Sequence, residues 1–206
     1  MRHFKVLLLV AAFTTGTLRA QNVNFDDTQP GQPPTGWTVT KTGSGEAKWT
    51  VERDDTASSK PNVLKQSGKA AYPLCIKNDT TLRDGFVEVK FKTVTGEEDQ
   101  AGGVVWRVKD AGNYYIARAN ALENNVRIYH FVNGRRTQFN GVNIKIAPGE
   151  WHSLRVDFNG PAFKVFFNGE QLFDAKDMTH LDAGKVGLWT KADSVTLFDD
   201  FSCGAK

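Results

Sequence analysis

The chain has 206 residues, 40% of them hydrophobic and 11% aromatic, enough for one domain with a sizeable core. Its formal net charge is +3, but Arg2, Lys5 and Arg19 lie in the first twenty residues with no acid among them. The rest balances at 23 basic and 23 acidic residues, which removes any general electrostatic case for nucleic-acid binding.

Residues 1–20 open with Arg2 and Lys5, continue through an apolar run from Val6 to Phe13, and end on Leu18-Arg19-Ala20. That is the three-part pattern of a secretory signal peptide, with cleavage expected after Ala20. The apolar run is too short to span a bilayer. The expectation is an exported protein, periplasmic or secreted, with no membrane partner once the leader is gone. Residues 21–206 then form one domain.

Next comes TQPGQPPTGW (Thr28 to Trp37), too rich in turn formers for a helix or a central strand. GFVEVKFKTV (Gly85 to Val94) alternates Phe86, Glu88, Lys90 and Lys92 with Val87, Val89, Phe91 and Thr93, a strand pattern. Residues 102–108, 113–121 and 125–133 read as three antiparallel strands, followed by a hairpin turn at Asn133-Gly134. HSLRVDFNG and AFKVFFNGEQLFDA carry further turns at Asn159-Gly160 and Asn168-Gly169. GKVGLWTK and SVTLFDDFS close the chain. No stretch after residue 20 sustains a helical period, and Asp177 to Gly184 holds one helical turn at most. The pattern is all-β, a two-sheet antiparallel sandwich.

Within NYYIARANALENNVRIYH (Asn113 to His130), one series of alternate positions is Ala117, Ala119, Ala121, Val126 and Ile128. The other is Arg118, Asn120, Arg127 and Tyr129. Setting Ala121 opposite Val126 places Ala119 opposite Ile128, Asn120 opposite Arg127 and Arg118 opposite Tyr129. Val104, Trp106 and Val108 suit the apolar side, with Trp106 filling the space left by the alanines. Arg107 joins the polar side. The small residues let a second sheet approach, and the polar row faces outward.

These strands resemble the concanavalin A-like jelly rolls, and most closely the laminin-G-like and DUF1080 (3-keto-disaccharide hydrolase-like) exported bacterial domains. The matching segments run from Asp84 to Arg136, from Gly149 to Phe173 and from Gly184 to Phe201, with FDDTQPGQPPTGWTV (Phe25 to Val39) similar to the family's N-terminal strand. The resemblance implies the jelly-roll fold and a saccharide partner. Where the hydrolase-like group often has Asn-Ser-Gly before its central arginine strand, this chain reads QAGGVVWR (Gln100 to Arg107).

Arg107, Arg118, Asn120, Arg127 and Tyr129 are the candidate ligand-binding residues, because guanidinium, amide and phenol groups suit sugar hydroxyls and carboxylates. A solvated sheet face has the same pattern. The Glu-x-Asp-x-x-Glu spacing of retaining glucanases is absent, and Glu97-Glu98-Asp99 reads as a solvated loop. With His152 added, the row holds the residue types of a polysaccharide lyase. The sequence therefore reads as an exported lectin-like or adhesive domain, with a DUF1080-like glycoside hydrolase or a polysaccharide lyase as the alternative. No cofactor is required. Asp26, Asp27, Asp199 and Asp200 could gather at one edge around a structural calcium ion, provided the terminal strands pair. Cys75 and Cys203 form one disulfide or remain two buried thiols.

Overall fold

The computed structural model describes residues 20–206, so the leader, but for Ala20, lies outside the described residues. Fifteen strands follow in chain order among these residues. They are β1 (Gln21–Val23), β2 (Trp37–Gly45), β3 (Trp49–Arg53), β4 (Asn62–Gln66), β5 (Ala70–Leu82), β6 (Gly85–Thr95), β7 (Ala101–Asp110) and β8 (Asn113–Asn120). After them come β9 (Asn125–Val132), β10 (Arg135–Asn143), β11 (His152–Asn159), β12 (Ala162–Phe167), β13 (Glu170–Lys176), β14 (Gly184–Trp189) and β15 (Val195–Gly204). One sheet runs β13-β12-β11-β6-β15-β4-β3, with β1 also paired to β15. The other runs β10-β9-β8-β7-β14-β5-β2. Every recorded pairing is antiparallel, as the alternating pattern requires.

The inward faces meet in one core that includes Trp49, Val87, Val89, Phe91, Ala117, Ala119, Val126, Ile128 and Phe198. Gly102 lets the sheets close: a Cβ there would sit 2.6 Å from the Phe91 ring. Trp106 shares this core with Ala117, Ala119 and Ala121, and aromatic rings surround it as well. Trp106 pairs across the ladder with Tyr115 and lies against Phe158 and Phe163 of the opposite sheet.

The β8–β9 hairpin differs from its expected register by two residues. Asn120 faces Asn125, Ala119 faces Val126, Arg118 faces Arg127 and Ile116 faces Tyr129. The cause lies in the loop. Asn120 accepts hydrogen bonds from the N–H groups of Leu122 and Glu123, and Asn124 takes a left-handed φ of 50°, so the turn closes on Asn120. A shift of two leaves every side chain on its expected face.

The seven-stranded sheet curls until its outer face is concave. Thr42 on β2 and Tyr114 on β8 are four strands apart, about 19 Å on a flat sheet. Their hydroxyls nevertheless lie 2.8 Å apart. Tyr72 on β5 meets Phe131 on β9 with ring centroids 5.0 Å apart, again across four strands. The curl shelters a second apolar cluster on this outer face: Leu74, Ile76, Val105, Tyr114, Ile116, Phe131 and Trp189 are all buried there.

The chain ends behave in part as expected. β1 pairs with β15, Val23 opposite Phe201, and both Phe25 and Phe198 are buried in the core. The four aspartates do not gather. Asp26 accepts from the Asn62 N–H, Asp199 from the Ser59 N–H and hydroxyl, Asp200 pairs with Lys90 at 2.9 Å, and Asp27 is exposed. Among the described residues no group of three metal-ligating side chains comes together. Asp26, Asp199 and Asp200 each have a local partner and Asp27 faces solvent, so the four do not share one site. Cys75 and Cys203 are free thiols in opposite sheets, both buried. Burial raises both thiols, Cys203 to about 11.

Gly102→Ala should destabilise the fold by about 1–3 kcal/mol, the usual range for overpacking. Because the new methyl would meet the Phe91 ring, Gly102→Ala combined with Phe91→Leu should cost less than the sum of the two single changes. Urea denaturation of the three variants measures this; strict additivity would contradict the contact.

Candidate functional site

The concave face divides into two halves. Aromatic residues fill one: Tyr72 stacks on Trp189 at 5.7 Å, and Tyr114 stacks on Phe131 at 4.4 Å. The other half is a connected set of charges and amides. Arg118, only 3% exposed, donates to the Asn125 side-chain oxygen, to Glu123 at 2.6 Å and to the Tyr129 hydroxyl at 3.0 Å. Asn120 donates to Asp99, and Asp99 also takes an ion pair from Lys191.

Burial separates this face from an ordinary solvated one. Asp99 and Asn120 are wholly buried, and Asn125 and Tyr129 nearly so. Removing a charge from water costs free energy unless partners replace the water. Here the replacement comes from two strands, β8 and β9, and three loops, which carry Asp99, Glu123 and Lys191. Burial pushes the Asp99 carboxyl above its usual range, against the pull of Lys191 and Arg118. Burial acts on Glu123 in the same direction, but Arg118, with Asn125 and Lys191, outweighs it and holds that carboxyl below its usual range. Glu123 is 42% exposed and Lys191 26%, so one anion and one cation of the set reach solvent.

Of the sequence candidates, Arg118, Asn120 and Tyr129 come together here. Arg127 is on the same face, where it donates to Asn143 at 2.5 Å and lies over Gly141, whose missing Cβ leaves it room. Arg107 does not join them. It takes a left-handed φ of 48° in a β-bulge between Trp106 and Asp110, which reverses its direction. Its guanidinium lies over Phe158 and Phe163, donating to the carbonyls of Arg83, Gly160 and His180 and to Asp84. It fastens loops at the end of the sandwich. The same bulge sends Val108 into the outer cluster. His152 belongs to the other sheet, packed on Phe91 and Phe167 with Nε2 on the Ala147 carbonyl, so the lyase set of residue types is dispersed.

Sequence reasoning missed several contributors, Asn125 among them. Asp99 read as a solvated loop residue, yet only Glu97 and Glu98 are exposed. The Asp193 carboxylate accepts the backbone N–H groups of all three, folding the loop so that Asp99 points inward. Lys191, Tyr72 and Arg136 come from strands and loops far apart in sequence. For Arg136 a signal existed: two residues beyond the Asn133-Gly134 turn, it pairs with Phe131 and so shares the face of Tyr129.

Comparison with known proteins places this face in context. A family model described as a 3-keto-alpha-glucoside-1,2-lyase-like domain matches residues 23–202. Levanase of Bacillus subtilis (strain 168) is 25% identical over 155 residues, covering 75% of this chain and 20% of the relative. The chain thus spans about a fifth of that relative's length. Among solved structures, the carbohydrate-binding module CBM66 from Bacillus subtilis aligns with a TM-score of 0.67 at 21% identity, over 83% of this chain and 96% of the module. A β-glucanase of Bacillus licheniformis aligns with a TM-score of 0.59 at 15% identity, over 94% of this chain and all of that one. These structures share the fold, a concanavalin A-like jelly roll, and the protein is a carbohydrate-related domain of that class.

The opposite displacements of Glu123 and Asp99 give opposite pH dependences. With its pKa lowered, Glu123 contributes stability that is present above the unfolded pKa and lost as pH falls through the folded one. With its pKa raised, Asp99 holds its proton more tightly folded than unfolded, so its contribution grows as pH falls from neutral. In denaturation from about pH 7 down to about pH 3, the stability gap between wild type and Glu123→Gln should shrink. The gap between wild type and Asp99→Asn should widen. Two gaps moving in the same direction would contradict the assignment.

Proposed function

The chain belongs to the 3-keto-alpha-glucoside-1,2-lyase-like family, and from that premise we propose that it is an exported saccharide-binding domain whose ligand lies on the concave face. The observation that carries this reading is the buried charge network ending in two side chains that reach solvent, the exposed Glu123 and the half-buried Lys191. Glu123 accepts from sugar hydroxyls, and Lys191 donates to them. The network behind holds both in fixed positions, so little side-chain freedom remains to be lost on binding. The CBM66 module, similar in fold, supports the ligand class by its name.

A second reading is favoured by the family's description together with the same pair of groups. A 1,2-elimination on a 3-keto glucoside needs a base for the proton at C2, acidified by the neighbouring ketone. It also needs a donor for the departing oxygen at C1. Glu123, held ionised at the surface, fits the base, and Lys191 fits the donor. The product would be a conjugated enone.

A glycan array followed by calorimetric titration tests the first reading. At least one saccharide should bind, and Glu123→Ala should weaken it by about ten-fold or more, as loss of a charge-assisted contact does. Because Glu123 also neutralises the buried Arg118 guanidinium, the melting temperature should fall as well, so circular dichroism verifies that the variant is folded before affinities are compared. Arg118→Ala should lower both affinity and stability, because it strips a buried network of its centre. No binding across neutral and acidic glycans would reject this reading. For the second, incubation with a 3-keto-α-glucoside should produce ultraviolet enone absorbance that Glu123→Gln abolishes; no absorbance and no released aglycone would reject it.

A further inference from the structure

Arg136 differs from the other arginines of the concave face in having no hydrogen-bond acceptor among the described residues. Arg118 is committed to Glu123, and Arg127 donates to Asn143. Among the described residues the Arg136 guanidinium has neither a carboxylate within salt-bridge distance nor a hydrogen-bond acceptor. It is held instead by two aromatic faces, its central carbon 4.6 Å from the Tyr129 ring centroid and 5.2 Å from that of Tyr72. Its Nη1 is buried without a partner, while the side chain as a whole is half-buried, so the remaining N–H groups open outward.

Such a group is expensive to leave alone. A guanidinium partly removed from water loses hydration, and π faces replace only part of it. A carboxylate would complete it, since two parallel N–H donors match two carboxylate oxygens. The aromatic sandwich also fixes the plane, which is what bidentate recognition needs. Tyr129 links this position to the charge network, because its hydroxyl accepts from Arg118 while its ring lies under Arg136. A ligand spanning from Glu123 and Lys191 to Arg136 therefore meets hydroxyl-binding groups at one end and an unpaired cation at the other.

Resting on the saccharide-binding reading, we infer that the bound saccharide is an acidic one, a uronate-containing oligosaccharide whose carboxylate is held by Arg136 between Tyr72 and Tyr129. The proposal predicts selectivity rather than binding alone.

The test uses the purified chain and matched probes: oligomers of galacturonate, glucuronate and mannuronate, each beside its carboxyl-reduced neutral counterpart. Calorimetric titration should show one uronate oligomer binding about ten-fold or more tightly than its neutral counterpart, the usual scale of a charge-assisted pair. Arg136→Gln should erase that ratio by weakening the uronate oligomer's binding far more than the neutral oligomer's. Arg136→Lys should restore only part of it, because an ammonium lacks the planar fork. Since Arg136 has no hydrogen-bonded or ionic protein partner and packs only on two rings, both variants should fold, which circular dichroism and melting curves verify. Neutral oligomers binding as tightly as uronates would overturn the inference and leave the saccharide reading standing. A uronate preference that survives Arg136→Gln would overturn the assignment to this residue. No binding by either set would overturn the saccharide reading and the inference with it.

Discussion

The curl of the seven-stranded sheet is the constraint on which the rest depends. A flat sheet of this width would leave its outer face in water, and aromatic residues there would be a liability. Curling brings β2 and β5 over toward β8 and β9, so that Thr42 reaches Tyr114 and Tyr72 reaches Phe131. The face then shields itself without a third layer. Residues lacking bulk permit it. At Gly187 a Cβ would lie 2.3 Å from the Cys75 carbonyl oxygen, and at Gly103 it would lie 2.6 Å from that of Ala117. Close backbone approach on β7 and β14 leaves the middle of the sheet free to bend.

From the curl follows the electrostatic character of the site. In a shielded concavity water is scarce, so a charge must be matched by protein groups. Lys191, Asp99, Arg118 and Glu123 alternate in sign as two ion pairs coupled through the attraction of Arg118 for Asp99, so each buried member has an opposite neighbour. Such a set fixes geometry more than it adds stability, since desolvation offsets much of the Coulombic attraction. The aromatic half contributes in the other sense, through apolar burial and ring stacking. One half of the face thereby supports the shape and the other presents the polar groups.

How much of this was legible in the sequence depends on which force set each feature. Alternation decided the face of Arg118, Asn120 and Tyr129, and it did so despite a register wrong by two, because side chains repeat with period two. It failed at Arg107, where one left-handed residue in a bulge inverts the side chain; no composition signal marks a non-glycine residue for that conformation. It failed again at Asp99, whose burial depends on Asp193 gathering three backbone N–H groups from 94 or more positions earlier. The terminal pairing of β1 with β15 was readable from the repeated Phe-Asp-Asp. The expected gathering of the aspartates does not follow from it, because Lys90, Ser59 and Asn62 hold Asp200, Asp199 and Asp26 apart.

Arg136 shows how a half-buried cation keeps its place with no hydrogen bond to hold it. It lies on β10, an edge strand, normally the part of a sheet freest to fray. Here β10 is tied from below. A bulge between Gln138 and Asn140 inserts Phe139, which packs against Tyr115, His130 and Phe163. Asn140 donates at 2.8 Å to the Asp174 carbonyl on β13, the edge of the opposite sheet. The Asn133-Gly134 turn, with φ of 50° and 79°, fixes the hairpin register that sets Arg136 opposite Phe131. Three restraints on the backbone thus substitute for restraints on the side chain. The guanidinium is aimed by its strand and flattened by two rings, and its outward N–H groups are left uncommitted.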